Sequence, residues 1–208
     1  MSFGQDVDDL RKWISEVWRD APMSAEWQSE YPDWPDLWKS SVQFALSRPV
    51  ASWSSDQLED LLFALARDSE DELISEGISE DPEALLALSV AAIRQGESDA
   101  KWQLAARLGE MRSHRDRAIK LLLQFVEDPD EYVRRRALLA LSALRAPQAE
   151  ELAERAWQSG LEYQRIAALS VLAEIGSARL PAYVAEARAD GRVYVLGAAD
   201  KAVRGRVD

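Results

Sequence analysis

The stretch DPDEYVRRRALLALSAL, residues 128–144, decides the fold of this chain. A turn signal, Asp128-Pro129-Asp130, stands directly before a segment whose apolar residues recur three and four positions apart, which is typical of a helix with one buried face. An aromatic residue near the start of this helix recurs in neighbouring segments. The series is Trp102, Tyr132, Tyr163 and Tyr194, with gaps of 30, 31 and 31 residues. A fixed period of this size predicts stacked repeats.

A second series of residues has the same period. The first helix of each predicted pair carries four apolar residues spaced i, i+3, i+4 and i+7, which buries one face of a helix. The quartets are Ile119, Leu122, Leu123 and Val126, then Ala149, Leu152, Ala153 and Ala156, then Leu180, Tyr183, Val184 and Ala187. Short, turn-like connections separate the helices and predict antiparallel neighbours.

The segment around residue 128 resembles a HEAT-like repeat, of the short variety first noted in phycobilin lyases. The matching residues are Asp128, Pro129, Asp130, Val133, Arg134, Ala137, Leu138, Ala140 and Leu141. The similarity covers residues 101–208, extends to 82–100 and does not include 1–54. It implies an all-α fold, a right-handed α-solenoid of stacked antiparallel helix pairs. Most members of this family are binding scaffolds and a few act as lyases, hydroxylases or DNA glycosylases, so the resemblance implies architecture rather than activity.

Residues 1–54 differ in composition from the rest of the chain. They contain six of the eight tryptophans, which are Trp13, Trp18, Trp27, Trp34, Trp38 and Trp53. We expect a Trp-rich helical capping segment over residues 1–54, which covers the open apolar end of a HEAT-like solenoid over 55–208, with regular repeats from about residue 82. The alternative is an exposed pocket formed by Tyr31, Trp34 and Trp38 near a proline-rich turn.

The net charge of −12 is concentrated in the first half of the chain. Residues 1–100 hold 22 acids and 7 bases, whereas residues 101–208 hold 15 acids and 18 bases. The segment from Asp68 to Glu83 contains eight acids and no base. Such a field attracts basic proteins and repels nucleic acid. We therefore expect a basic protein partner and no nucleic acid; a solvated acidic loop without a partner is the alternative.

Few residues in the chain are suited to catalysis or metal binding. The single histidine, His114, excludes sites with two histidine ligands, and the absence of cysteine excludes thiolate chemistry. Glycine-rich nucleotide loops, a Walker sequence and a Gly-x-Ser-x-Gly elbow are all missing. The acids at 127–131 lack the glycine and the closing glutamate of a calcium loop. We expect no catalytic residues, no metal and no cofactor.

The sequence also carries signals about compartment. The first residues show no secretory pattern, and the longest nearly apolar run, residues 84–93, is too short to cross a bilayer. The absence of cysteine suits a reducing environment. These features predict a cytoplasmic protein.

Together these observations predict a non-enzymatic protein-binding scaffold. Its sharpest form is an acidic, immunity-type inhibitor or adaptor from a bacterium, which binds a cationic partner such as a toxin. The predicted partner-binding residues are Trp102, Tyr132, Tyr163, Tyr194, Arg135, Glu70, Asp71, Glu72 and Glu76. The alternative for the rings is packing between helix starts. The alternative function is a ligand-modifying enzyme of the HEAT-like lyase or glycosylase type, which uses Tyr132 or Tyr163 with a carboxylate on the concave face.

Overall fold

The structure, a computed structural model, describes residues 2–17 and 31–204, and these form helices without any strand. The helices are α1 (Phe3–Val17), α2 (Trp34–Ser47), α3 (Ser55–Arg67), α4 (Leu73–Ile78), α5 (Pro82–Gln95), α6 (Ser98–Glu110), α7 (Arg115–Phe125), α8 (Glu131–Ala143), α9 (Ala149–Gln158), α10 (Glu162–Glu174), α11 (Leu180–Asp190) and α12 (Val193–Arg204). A 3-10 turn, Val50–Ser52, precedes α3. The predicted all-α fold is confirmed.

Local capping chemistry sets several helix starts. The Ser54 hydroxyl accepts from the Gln57 N–H while the Gln57 side chain accepts from the Ser54 N–H, so two first-turn donors of α3 are satisfied. Asp81 accepts from two N–H groups at the start of α5, where Pro82 takes the first position. Asp130 caps α8 in the same way. The start of α8 agrees with the turn signal at Asp128-Pro129-Asp130.

The chain forms two compact units, Met1–Arg107 (unit 1) and Leu108–Asp208 (unit 2). The boundary between them falls inside α6. The predicted division at residue 54 concerns composition and repeat regularity rather than compactness, and it stays a prediction.

A row of aromatic rings runs through unit 1. Trp13 meets Tyr31 at a centroid distance of 5.4 Å, Tyr31 meets Trp34 at 5.5 Å, and Trp34 stacks on Trp38 at 5.7 Å. Tyr31 and Trp34 are buried, so these two rings pack α1 and α2 together rather than open a pocket. The capping role predicted for the tryptophans stays a prediction, and Trp18 and Trp27 lie outside the described residues.

Unit 2 repeats one helix pair. The pairs are α7 with α8, α9 with α10 and α11 with α12, and the second helices α8, α10 and α12 pack side by side in that order. The predicted quartets face the interior, since every member is buried except the half-buried Leu123, Leu152 and Tyr183. The alanines among these residues are small and allow neighbouring helices to approach each other closely.

The turns of unit 2 repeat as closely as the helices. Arg145 and Gly176 stand 31 positions apart and both adopt the left-handed conformation, with φ of 50° and 70°. Gly160 and Gly191 form a second such pair, with φ of 73° and 75°. A left-handed residue after the last turn is a common way to end a helix. The period seen in the side chains is therefore also present in the backbone.

Candidate functional site

Three tyrosines lie along one edge of unit 2. Tyr132, Tyr163 and Tyr194 are each the second residue of their helices, α8, α10 and α12. Because these helices are packed side by side, the rings follow one another at successive helix starts. Tyr132 is half-buried, Tyr163 is 53% exposed and Tyr194 is 69% exposed. The edge therefore becomes more open toward α12.

Trp102 does not continue this edge. It is the fifth residue of α6, because that helix begins a turn earlier, at Ser98. The ring is only 6% exposed, and its Nε1 donates to an oxygen of Asp99 at 3.1 Å. A buried ring cannot offer its face to a partner, so we leave Trp102 out of the proposed surface.

Arg135 links the first two tyrosines. Its guanidinium carbon lies 4.6 Å from the centroid of the Tyr132 ring and 4.7 Å from that of the Tyr163 ring. The Glu131 carboxylate lies 3.9 Å from Arg135 and accepts a hydrogen bond from the Gln164 side chain at 3.0 Å. Arg135 and Glu131 thus connect α8 to Tyr163 and Gln164 of α10, while Tyr163 retains an exposed face. Both alternatives for the rings therefore occur on this edge, since Tyr132 is half-buried and Tyr163 is largely exposed.

Two exposed aliphatic residues, which sequence reasoning missed, extend the tyrosine edge. Leu161 is 45% exposed directly before α10, and Val193 is 76% exposed at the first position of α12. The guanidinium of Arg192 donates to the Gly160 carbonyl at 3.1 Å and so brings the two helix starts together. We call Leu161, Tyr163, Val193 and Tyr194 the aromatic patch. One sequence signal could have revealed this patch. Leu161 stands at the cap position of α10, where the equivalent residue of α8 is the polar Asp130.

A charged clamp holds the turn beneath the aromatic patch. The Asp190 carboxylate accepts hydrogen bonds from Arg192 at 2.6 and 2.7 Å and pairs with Arg165 of α10. These hydrogen bonds, first from Arg192 and then from Arg165, hold the pKa of Asp190 well below its usual range. The turn before α12 is therefore fixed to α10, which keeps Tyr163 and Tyr194 on one surface.

The predicted acids of unit 1 separate into two groups. Glu70, Asp71 and Glu76 are exposed, as is Glu80, and we call these four carboxylates the acidic surface. Glu72 instead adopts a left-handed backbone with φ of 56° and pairs with Arg107 at 3.3 Å. Within the described part of the chain, the carboxylates of Asp71, Glu76 and Glu80 form no ion pair.

One acid of this segment is buried. Asp68 is 2% exposed, and its two oxygens accept from Trp38 Nε1 at 2.8 Å and from the Ile74 N–H at 2.7 Å. Burial raises the pKa of Asp68 to about 7, and the negative charges of Asp71 and Glu72 act in the same direction. Because both oxygens are engaged, this carboxyl is placed to hold helices together.

The enzyme alternative requires a cavity that includes Tyr132 or Tyr163. A cavity of about 260 Å³ lies among α7, α8, α9 and α10, but neither ring lines it, and its Glu127 is paired with Arg155 at 2.6 Å. His114 stands at the cap position of α7, with Nδ1 3.0 Å from the Ser113 hydroxyl.

Within residues 2–17 and 31–204, no group of three or more His, Cys, Asp or Glu side chains is arranged to hold a metal ion. None of the helices described there is both long and apolar enough to cross a membrane.

The helix pairs and their periodic turns define a helical-repeat scaffold. A family model for HEAT repeats matches residues 85–173 and, in an overlapping match, residues 119–204. The two matches together cover more than half of the chain, and the protein belongs to the HEAT-repeat family. The resemblance inferred from residues 128–144 is thereby confirmed. A search of curated proteins found no match to this chain.

Proposed function

We propose that this protein is a non-enzymatic scaffold that binds another protein through the aromatic patch. The observation that carries the proposal is the exposure of Tyr163 and Tyr194 at adjacent helix starts, together with Leu161 and Val193. Tyrosine offers a large, rigid contact area with a polar end, and contiguous exposed apolar surface of this kind marks interaction sites. The patch lies at the starts of α10 and α12, which pack against each other, and side chains held on packed helices lose less entropy on binding.

The charge of unit 1 supports a basic partner. Residues 1–107 hold 22 acids and 9 bases. Three of the bases are already engaged, since Arg11 pairs with Asp60, Arg67 with Glu97 and Arg107 with Glu72. The acidic surface therefore keeps an uncompensated negative field, which speeds the approach of a cationic protein and disfavours other partners.

The specific form of the proposal is an immunity-type inhibitor from a bacterium that acts in the cytoplasm on a basic toxin, such as a nuclease. Strong acidity, compact size and a repeat scaffold support it. An adaptor differs from an inhibitor in one measurable way, because an inhibitor abolishes the activity of its partner at stoichiometric concentration whereas an adaptor leaves it unchanged. Co-expression with the adjacent reading frame of the source genome tests this form.

Affinity capture with matched variants tests the binding proposal. One bait carries Asp71→Lys, Glu76→Lys and Glu80→Lys. The control bait carries Glu16→Lys, Glu151→Lys and Asp200→Lys, which replace other exposed acids and change the net charge by the same amount. We expect the unmodified chain and the control to capture the same basic protein from the source cells, and the first variant to lose it. Equal capture by both variants would remove the acidic surface from the proposal.

A further inference from the structure

The cavity of unit 2 lies next to the aromatic patch. Its volume is about 260 Å³, and its lining comes from the end of α7 and from α8, α9 and α10. Ser159 and Gln164 belong to this lining, and they stand on either side of Leu161 and Tyr163 in the chain. The Ser159 hydroxyl also accepts from the Leu161 N–H at 3.3 Å. A protein bound on the aromatic patch therefore has this cavity within reach of a neighbouring side chain.

The wall of the cavity is largely apolar, and its size suits a single ring. The apolar lining consists of Val126, Leu138, Leu152 and Ala156. An apolar cavity of about 150 Å³ is large enough to hold benzene, whereas sites for drug-sized ligands measure about 300–1,000 Å³. The cavity volume of about 260 Å³ lies between these limits and matches one substituted aromatic ring.

One hydrogen-bond acceptor in the lining has no donor. Gln164 is only 4% exposed, and its Nε2 donates to the carbonyl and to the carboxylate of Glu131, at 3.1 and 3.0 Å. Because both of these partners are acceptors, they fix the orientation of the amide and leave Oε1 on its other side. Among the described residues, none donates a hydrogen bond to this Oε1. A ligand that brings a donor would satisfy it.

The charged side chains of the lining already have partners. Arg155 pairs with Glu127 at 2.6 Å, and Nη1 of Arg134 donates to the carbonyls of Asp128 and Pro129 at 2.8 and 2.7 Å. A carboxylate in the cavity would bring no donor for the amide oxygen, and an ammonium group would be buried against an apolar wall. A neutral hydroxyl on an aromatic ring avoids both costs.

We propose, on the basis of the binding function above, that this cavity is an anchor pocket for one tyrosine side chain of the basic partner. The ring lies among the apolar residues, and the phenol hydroxyl donates to Gln164 Oε1. Buried aromatic anchors of this kind carry a large share of the binding energy in protein interfaces. The partner therefore presents an exposed tyrosine beside the surface that meets Tyr163.

Titration of the full chain with p-cresol, the side-chain analogue of tyrosine, tests the pocket itself. In ¹H–¹³C NMR spectra we expect the methyl signals of Val126, Leu138 and Leu152 to shift with one common dissociation constant. The methyl signals of Leu61 and Leu65, which lie in unit 1, should stay in place. Unchanged signals at the cavity, up to the solubility limit of p-cresol, overturn the proposal.

A comparison with toluene, which has the same ring without the hydroxyl, tests the role of Gln164. We expect Gln164→Met to weaken p-cresol binding about threefold to tenfold and to leave toluene binding within about twofold, because only the phenol loses a hydrogen bond. A general distortion of the pocket would affect both probes. Equal losses for p-cresol and toluene therefore contradict the hydrogen bond to Oε1.

A filled cavity connects the pocket to the captured partner. Ala156→Leu places a larger side chain in the cavity, and Ala185→Leu, at an exposed position of α11, is the control. We expect Ala156→Leu to weaken partner binding at least about tenfold and the control to stay within about twofold of the wild type. Wild-type affinity in Ala156→Leu overturns the anchor.

The two functions can fail separately. If Ala156→Leu does not fold, Gln164→Met supplies the partner measurement, with an expected loss of about threefold to tenfold. Failure to capture a basic partner leaves the p-cresol titration standing as a test of the pocket. Absence of p-cresol binding overturns the pocket and leaves the capture of a basic partner unaffected.

Discussion

At the scale of single residues, Arg135 shows how one side chain serves both packing and surface. Its guanidinium lies over both the Tyr132 and the Tyr163 ring, whereas that of Arg136 lies 5.9 Å from the Tyr132 centroid. Each close cation–π contact contributes about 0.5–1 kcal/mol. We expect Arg135→Ala to lower the free energy of unfolding by about 1–2 kcal/mol and Arg136→Ala by clearly less. Urea unfolding measures both variants, and an equal loss of unfolding free energy in the two would contradict the contact of Arg135 with both rings.

Two helical glycines allow a second comparison between single residues. A Cβ on Gly109 of α6 would lie 2.7 Å from the Cβ of Ala140 on α8, whereas a Cβ on Gly197 of α12 would meet nothing within 4 Å. We expect Gly109→Ala to destabilise by about 1–3 kcal/mol, because the helices must separate. Gly197→Ala should stabilise by about 0.5–1 kcal/mol through its helix propensity. Thermal unfolding measures both, and the same sign for the two would contradict the close packing.

At the scale of secondary-structure elements, α10 lacks the cap that α8 has. Leu161 and Asp130 have almost the same backbone conformation, with φ and ψ of −70° and 132° against −75° and 128°, but only Asp130 bonds to first-turn N–H groups. We expect Leu161→Asp to stabilise the protein by about 1 kcal/mol and to weaken partner binding, because an apolar contact of the aromatic patch is replaced by a charge. Leu161→Ala should weaken binding without the gain in stability. Thermal unfolding and a binding titration separate the two effects.

Sequence alone predicts those elements whose signals are local. The apolar quartets and the helix start after Asp128-Pro129-Asp130 depend on neighbouring residues, and the structure has both as expected. Burial depends on what packs from elsewhere in the chain. Trp102 shares the period of the tyrosines but is buried, which the period alone does not reveal.

Two other features of the candidate site depend on such distant contacts. Asp68 is one acid among eight in its segment, and it is distinguished by its burial and by the hydrogen bonds it accepts from Trp38 and Ile74. Val193 indicates a binding surface only because α12 packs against α10 and so places it near Leu161 and Tyr163. A single exposed aliphatic residue is ordinary and would not be noticed in the sequence.

At the scale of the whole molecule, charge is divided between the two units. Residues 1–107 carry 22 acids and 9 bases, whereas residues 108–208 carry 15 acids and 16 bases. Association with the basic partner should therefore slow about tenfold or more between about 50 mM and about 500 mM salt. The variant with Asp71→Lys, Glu76→Lys and Glu80→Lys should bind more slowly at low salt and show a flatter salt dependence. Stopped-flow association rates check this, and identical slopes would exclude steering by the acidic surface.

The most direct test of the central claim is the dissociation constant of the purified partner for a chain that carries Tyr163→Ser and Tyr194→Ser. The control carries Val90→Ser and Val203→Ser, which alter apolar side chains exposed elsewhere. If the aromatic patch is the protein-binding surface, the tyrosine variant weakens binding by at least about thirtyfold while the control stays within about threefold of the wild type. Wild-type affinity in the tyrosine variant would contradict the account.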